Sequence, residues 1–192
     1  MYIAIEGIDT AGKSTQIDAL RSAYPDAIIT KEPGATPLGH EIRELVLSAR
    51  AQSKKAEFLL FLADRAEHCK EVIEPNIKSK MIISDRSAIS GVAYALIHGE
   101  IAEEELVHLN NFATNNTYPQ KVFLLKLTKE ELEYRLSQKE LDGIELRGSE
   151  YLLEIQKAIV KAAKLLQIEL VVIDATQSIE SITEEILTNI NK

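Results

Sequence analysis

The chain has 192 residues, 45% of them hydrophobic and 27% charged, which is the length of one domain and the composition of an ordinary folded protein and excludes a disordered tail or a fibrous repeat. A net charge of −8 argues against sequence-independent binding to nucleic acid or to an anionic membrane, both of which need surplus Lys and Arg. A single cysteine (Cys69), a longest apolar run (residues 58–63) too short to span a bilayer, and an opening MYIAIEG without a signal-peptide pattern make a cytoplasmic protein the expectation.

Short, often β-branched apolar runs alternate with longer helical stretches. Strands are predicted at residues 2–5, 27–30, 81–84, 122–127 and 169–173, each suited to burial on both faces. Helices are predicted at 13–23, 38–47, 54–78, 87–97, 102–115, 129–138, 150–166 and 179–190. Thr128 with Glu131 reads as a capping box, and Ser178 as an N-cap. Such alternation implies an α/β fold, a parallel sheet covered by helices on both faces, with ligands at the carboxyl ends of the strands. Residues 139–148 are polar, hold two of the eight glycines and read as a mobile loop between two helices.

The first strand runs into Gly7-Ile8-Asp9-Thr10-Ala11-Gly12-Lys13-Ser14, which matches the phosphate-loop pattern G-x-x-x-x-G-K-[ST] in its strand–loop–helix context. Gly7 and Gly12 permit backbone conformations and close approach that a side chain would block. Successive N–H groups then form an anion nest at the start of the following helix. Lys13 is placed to reach β- and γ-phosphates, and Ser14 to ligate Mg²⁺. In this way an acidic chain can hold a triphosphate through a local field. Asp9 fits two readings: a carboxylate that meets a sugar hydroxyl or Mg²⁺, or a turn Asp bonded to its own backbone.

Further along, residues 30–39 place two prolines and two glycines in a rigid loop, and Arg43 lies one helical turn beyond. Phe61 and Arg65 are four apart and share a helix face. They could stack on a base and donate to its keto edge. The spacing by itself favours a core Phe with an Arg paired to Asp64 or Glu57. After the third strand comes Asp85-Arg86: an Asp placed to hold Mg²⁺ or its waters, and an Arg able to clamp a phosphate. The alternative there is a capped helix with a surface ion pair. Arg86, Ser90 and Tyr94 recur every four residues and line one face. His68 and Cys69 read as structural, and the acidic run 103–105 as a solvated helix face.

Taken together, these segments resemble the thymidylate kinase family. Residues 6–15 resemble its E-G-x-D-G-A-G-K-S-T, residues 31–36 its R-E-P-G-G-T and residues 63–68 its A-D-R-x-x-H. Residues 85–94 resemble D-R-Y/H-x-x-S-x-x-A-Y, and residues 141–145 a lid signature L-D-R-I-E. The resemblance implies a P-loop NTPase fold, three layers around a five-stranded parallel sheet, in one domain over residues 1–192 with a short lid at about 139–148. It implies Mg²⁺-dependent transfer of the γ-phosphoryl group of ATP to dTMP by a homodimer that needs neither nucleic acid nor membrane.

The family roles follow residue by residue. The loop Gly7, Ile8, Asp9, Thr10, Ala11, Gly12, Lys13, Ser14 and Thr15 would bind ATP. Asp9 would contact the acceptor sugar, directly or through Mg²⁺. Phe61 would stack on thymine and Arg65 would bond its carbonyl edge. Arg86 and Arg43 would bind the acceptor phosphate, Pro33 and Ser90 would flank the acceptor, and Tyr94 would crowd its 2′ position. Lys13, Arg86 and Asp9 are the catalytic candidates, and Ser14 and Asp85 the metal candidates.

The chain departs from the pattern at several points. Thr10 replaces a loop Gly, Lys31 an Arg and Ala35 a Gly, and His40 stands where many members carry Glu. Ser87 replaces an aromatic, Gly91 a base-contacting polar residue, Ala95 a Gln, and Gly143 the lid Arg. The remaining lid cations are Arg135, Lys139 and Arg147. Two alternatives are another P-loop nucleotide or nucleoside kinase (dUMP, dCMP or deoxynucleoside acceptor) and a non-kinase nucleotide switch. The guanine-reading [NT]-K-x-D of a GTPase switch is absent from the sequence.

Overall fold

A computed structural model describes residues 1–48, 50–141, 143 and 145–191. Five strands, β1 (Tyr2–Glu6), β2 (Ile28–Lys31), β3 (Ile82–Asp85), β4 (Lys121–Lys126) and β5 (Leu170–Asp174), form one sheet in the order β2-β3-β1-β4-β5. Every pairing is parallel. The observed strands sit within about a residue of those the sequence predicts. β1 is buried along its whole length and β4 at every residue except Lys126, as expected for central strands covered on both sides.

The helices are α1 (Lys13–Ala23), α2 (Pro37–Leu47), α3 (Lys54–His68), α4 (Glu74–Asn76), α5 (Ala88–His98), α6 (Glu103–Thr114), α7 (Lys129–Ser137), α8 (Ser149–Leu165) and α9 (Ile179–Ile190). α1 packs against α9, while α5 packs against α8, α3 and α6. Right-handed crossovers put these two groups on opposite faces, because β1 to β2 runs one way along the sheet and β3 to β4 the other. Leu20, Ile182 and Ile186 fill the core below α1 and α9; Val92, Ile155 and Ile159 fill it below α5 and α8.

Two local expectations are corrected. The single helix predicted over 54–78 is α-helical only to His68; Cys69–Ile73 is a π-turn, followed by the short α4. Pro75 accounts for the change, because it has no N–H to donate and its ring clashes with the carbonyl four residues back. The capping box is half formed. Thr128 Oγ1 accepts the Glu131 N–H at 3.2 Å, but the Glu131 carboxylate turns to Arg135 Nε at 2.6 Å. Ser178 caps α9 as expected, accepting from the Ser181 N–H at 3.2 Å.

The carboxyl ends of β1, β2 and β3 are Glu6, Lys31 and Asp85. Three neighbouring strands thus end in charge along one edge of the sheet, where ligands of such folds bind.

Candidate functional site

The loop between β1 and α1 is shaped by its glycines. A Cβ on Gly7 would stand 3.0 Å from Ala11 Cβ and 3.1 Å from Leu125 O, so the loop can lie this close to β4 only without one. Gly12 takes φ 94° at the N-cap of α1, and no side chain caps that helix. Its first N–H groups and the dipole behind them are therefore open to an anion. Thr10 takes φ 67°, in the left-handed region that favours glycine. Lys13 is 9% exposed, and its Nζ donates to Ile8 O at 3.0 Å and lies 3.9 Å from Asp9 Oδ1. Burial, and next the positive charge of Arg86, push its pKa down to about 8.

β3 delivers the second set of groups. Arg86 has φ 67°, which folds its side chain back over the loop. Nη2 donates to Asp9 Oδ1 at 2.7 Å; Nη1 donates to Gly7 O at 3.0 Å and Ser90 Oγ at 3.3 Å. The Asp9 carboxylate therefore meets Arg86, which neither of the two readings of that residue foresaw. Ser90 in turn donates to Glu6 Oε2 at 2.6 Å, and Glu6 Oε1 accepts the Ser87 N–H at 2.8 Å and Oγ–H at 2.9 Å. Glu6 is fully buried. Burial raises its pKa against the opposing pull of Arg86 and the two serines.

Asp85 and Ser14 line one recess with Lys31, Gly34 and Ala35, a space of about 340 Å³. Asp85 Oδ1 is buried without a hydrogen-bond partner among the described residues. An orphaned carboxylate oxygen costs free energy unless something meets it. One carboxylate, one hydroxyl and room for phosphate oxygens and water is a donor set that fits Mg²⁺. Among the described residues there is no cluster of three or more His, Cys, Asp or Glu that could hold a metal by itself.

A second cleft lies between α3 and α5, lined by Phe58, Phe61, Gly91, Tyr94, Ala95 and His98. Burial pushes the Tyr94 hydroxyl up to about 12 although Arg86 pulls it down. Arg65 sits behind this cleft, 2% exposed. It pairs with neither Asp64 nor Glu57, as its spacing suggested. Its Nε donates to Glu32 Oε2 at 2.8 Å and its Nη1 to Asn110 Oδ1 at 2.8 Å, whereas Asp64 accepts the Gly34 N–H and Glu57 holds Lys54. Glu32 also meets His68 Nδ1 at 3.0 Å, and His68 Nε2 lies 2.7 Å from Thr30 Oγ1. Burial would raise the Glu32 pKa, but Arg65 and His68 outweigh it and hold the carboxyl near 2.

The loop after β2 lines the first recess with Gly34 and Ala35, and through Glu32 it holds Arg65 behind the second cleft. Its Glu32–Pro33 peptide is cis. Arg43 Nη1 donates to Pro33 O at 3.1 Å, and the Arg43 side chain occupies the space beside Gly34, where a Cβ would stand 2.8 Å from its Cδ. The lid cations are already engaged. Arg135 Nη1 donates to Thr10 O at 3.1 Å and Nη2 to Ala175 O at 2.7 Å. Lys139 lies 2.8 Å from Glu145, and Arg147 stacks 3.5 Å from the Tyr151 ring centroid. Of the lid signature 141–145, Asp142 and Ile144 lie outside the described residues.

The fold therefore brings Lys13, Asp9, Arg86 and Ser90 together at one end of the sheet and joins Ser14 to Asp85. It puts Phe61 and Tyr94 in one cleft, and Pro33 and Arg43 beside each other. Sequence reasoning missed Glu32 and Asn110 as partners of Arg65. The signal was there in Asn110, a polar residue between Leu106 and Ala113 on the buried face of α6, since such a residue demands a partner.

A parallel sheet in this order, with a phosphate loop between its central strand and the helix behind it, defines the P-loop class of nucleotide-binding proteins. The family model described as thymidylate kinase matches residues 5–186. The thymidylate kinase of Sulfurimonas denitrificans is 72% identical over 191 residues, covering 100% of both chains. That of a Sulfurovum species is 51% identical, covering 98% of each. Among solved structures, the crystal structure of thymidylate kinase from Ehrlichia chaffeensis superposes with a TM-score of 0.76 at 25% identity, over 100% of this chain and 98% of that one. The chain belongs to the thymidylate kinase family.

Proposed function

We propose that the chain catalyses ATP + dTMP → ADP + dTDP by direct in-line transfer of the γ-phosphoryl group. The observation that carries this reading is the position of Arg86, whose guanidinium spans from the phosphate loop (Gly7 O and Asp9) to Ser90 on the acceptor-side helix. One cation thus touches both halves of the site. Residues 7–15 bind the triphosphate, with the Lys13 ammonium on the β- and γ-phosphates. Arg86 and Arg43 hold the acceptor phosphate, Phe61 stacks on the base, and Tyr94, Pro33 and Ser90 flank the sugar. Asp9 orients Arg86 and accepts from the acceptor sugar. Ser14 and Asp85 hold Mg²⁺, which when bound neutralises phosphate charge.

The acceptor phosphate is already anionic near neutral pH, so no general base is needed. Catalysis is positioning and charge neutralisation. Residues 139–148 act as the lid of one P-loop domain, excluding water from the transfer. In this reading the protein works as a cytoplasmic homodimer without nucleic-acid or membrane partners. Leu38 and Leu45 on α2, Leu59 on α3 and Phe112 on α6 support the dimer. These helices are neighbours, and Phe112 is 80% exposed, an apolar surface that invites a partner. Among the described residues no helix is long and apolar enough to cross a membrane.

The test is ADP release from ATP with a panel of nucleoside monophosphates and deoxynucleosides. dTMP is expected to be the best acceptor. Preference for dCMP or a nucleoside, or GTP binding with no transfer to any monophosphate, would replace this reading with one of the alternatives.

A further inference from the structure

We propose that Glu32, Asn110 and Gly91 are positioning residues that fix which edge of Arg65 is presented at the acceptor cleft, and that they thereby set the preference for a keto pyrimidine. This rests on the reading that the cleft at Phe61 holds the base. A guanidinium carries five N–H donors in a rigid plane and no acceptor. Here Nε is committed to Glu32 Oε2 and Nη1 to Asn110 Oδ1, each at 2.8 Å. Among the described residues no hydrogen-bond acceptor meets Nη2.

Nη2 lies against Gly91, where a Cβ would stand only 2.9 Å away. Gly91 lines the same cleft as Phe61 and Tyr94. The missing side chain is therefore a slot. It leaves the uncommitted edge of the guanidinium directly behind the stretch of cleft wall that Gly91 forms, and an added methyl would have to displace that edge.

Both partners of Arg65 are themselves held. The second oxygen of Glu32 is engaged by His68 Nδ1 at 3.0 Å, and the far side of that ring meets Thr30. Asn110 Nδ2 donates to Leu106 O at 2.7 Å, which fixes the amide so that its oxygen faces Arg65. The guanidinium can neither rotate in its plane nor retreat without breaking a buried charged bond.

An edge that only donates suits a carbonyl oxygen and opposes an amino group. Thymine and uracil present O4 at the corresponding edge; cytosine presents N4–H₂. The device separates keto from amino pyrimidines and is blind to the 5-methyl group.

The test is steady-state kinetics with dTMP, dUMP and dCMP for Gly91→Ala, Glu32→Gln, Asn110→Leu and Asn110→Asp, beside Arg65→Ala. Loss of a charged hydrogen bond in the complex corresponds to about 10- to 100-fold in affinity. Gly91→Ala, Glu32→Gln and Asn110→Leu are therefore expected to raise KM for dTMP and dUMP together by at least about 10-fold. The dTMP-over-dCMP preference should fall by a similar factor, while kcat and the ATP KM stay within about 3-fold. Asn110→Asp, which keeps the acceptor, should recover most of the loss seen in Asn110→Leu.

Gly91→Ala removes neither partner of the buried ion pair, so it remains informative if Glu32→Gln fails to fold. A parallel fall in kcat and ATP affinity with an unchanged base preference would mean a merely structural role and overturn the proposal. If Arg65→Ala raises the dTMP KM while Gly91→Ala and Asn110→Leu match the wild type, the positioning proposal fails and the base-site reading stands. If Arg65→Ala itself leaves the dTMP KM unchanged, the base-site reading fails and the proposal with it.

Discussion

Lys13 gives a prediction that can be worked from the structure. Its ammonium is nearly enclosed, bonded to one loop carbonyl and facing the charge of Arg86, so its pKa falls to about 8. Against the ordinary value of 10.5, that is a penalty of roughly 3 kcal/mol on the charged form. Seating a polyphosphate beside Nζ reverses the penalty and returns the lysine to full charge. Binding of Mg·ATP should then take up about 0.1 proton at pH 7, about 0.5 at pH 8 and about 0.9 at pH 9, the neutral fraction of a group with that pKa. Titration calorimetry without acceptor, repeated in buffers of different ionisation enthalpy, reads the proton count as a slope. Positive uptake that persists to pH 9 is diagnostic, because phosphate beside cations can only release residual protons on binding, and that release fades as pH rises. Tyr94 and Cys69, both pushed up to about 12, do not titrate there. A slope that is flat or falling between pH 7 and 9 would refute the placement of Lys13 on the phosphates.

Three further outcomes are expected. Glu32 has a depressed folded pKa, near 2 against 4.5, so its stabilisation is complete above about pH 4.5 and is lost as pH falls toward 2. Glu32→Gln should cost roughly 3–5 kcal/mol at pH 7, and in urea melts the gap to wild type should narrow steadily as pH falls from 4.5 toward 2; a gap independent of pH would contradict the ion pair. Thr10→Gly should stabilise by about 0.5–1 kcal/mol, the relief of a left-handed β-branched residue less the added entropy of glycine, and a lower melting temperature would argue against strain at φ 67°. Phe112→Glu should shift the sedimentation mass from a dimer to the 21.4 kDa monomer; an unchanged mass would move the interface off α6.

The parts of this molecule that were legible in the sequence are those governed by local rules. Strand–helix alternation fixes the order of elements, and a G-x-x-x-x-G-K-S run between a strand and a helix fixes where an anion can sit. The break in the helix after His68 was less visible. Pro75 marks it, but only the structure shows the chain absorbing the missing bond in a π-turn (Cys69–Ile73) that follows directly on α3, rather than stopping. Partnerships across the fold were not legible at all. Arg65 and Glu32 are 33 positions apart, Arg65 and Asn110 45, Arg135 and Thr10 125. Reasoning along one helix offers only partners from that helix, so it named Asp64 or Glu57 for Arg65. The buried face of α6 and the register that seats β2 beside β3 decided otherwise.

The resting contacts of the cations also bear on how an acidic chain recruits a polyanion. Lys13 rests on Ile8 O, Arg86 on Gly7 O and Asp9, and Arg135 on Thr10 O, so three positive side chains are held by successive groups of one loop. Without ligand, the carbonyls and one carboxylate dilute their mutual repulsion, yet Arg86 still lowers the Lys13 pKa. A phosphate chain in the proposed position replaces weak carbonyl contacts with charged ones and removes the repulsion in the same step. Since neutral carbonyls bind a cation less strongly than phosphate oxygens do, each exchange favours the bound state. The attraction is built from groups within a few ångströms of the ligand, where it is screened less than the −8 spread over the whole chain. Affinity for Mg·ATP should therefore depend far more on Lys13, and affinity for dTMP far more on Arg86, than either does on removing surface glutamates.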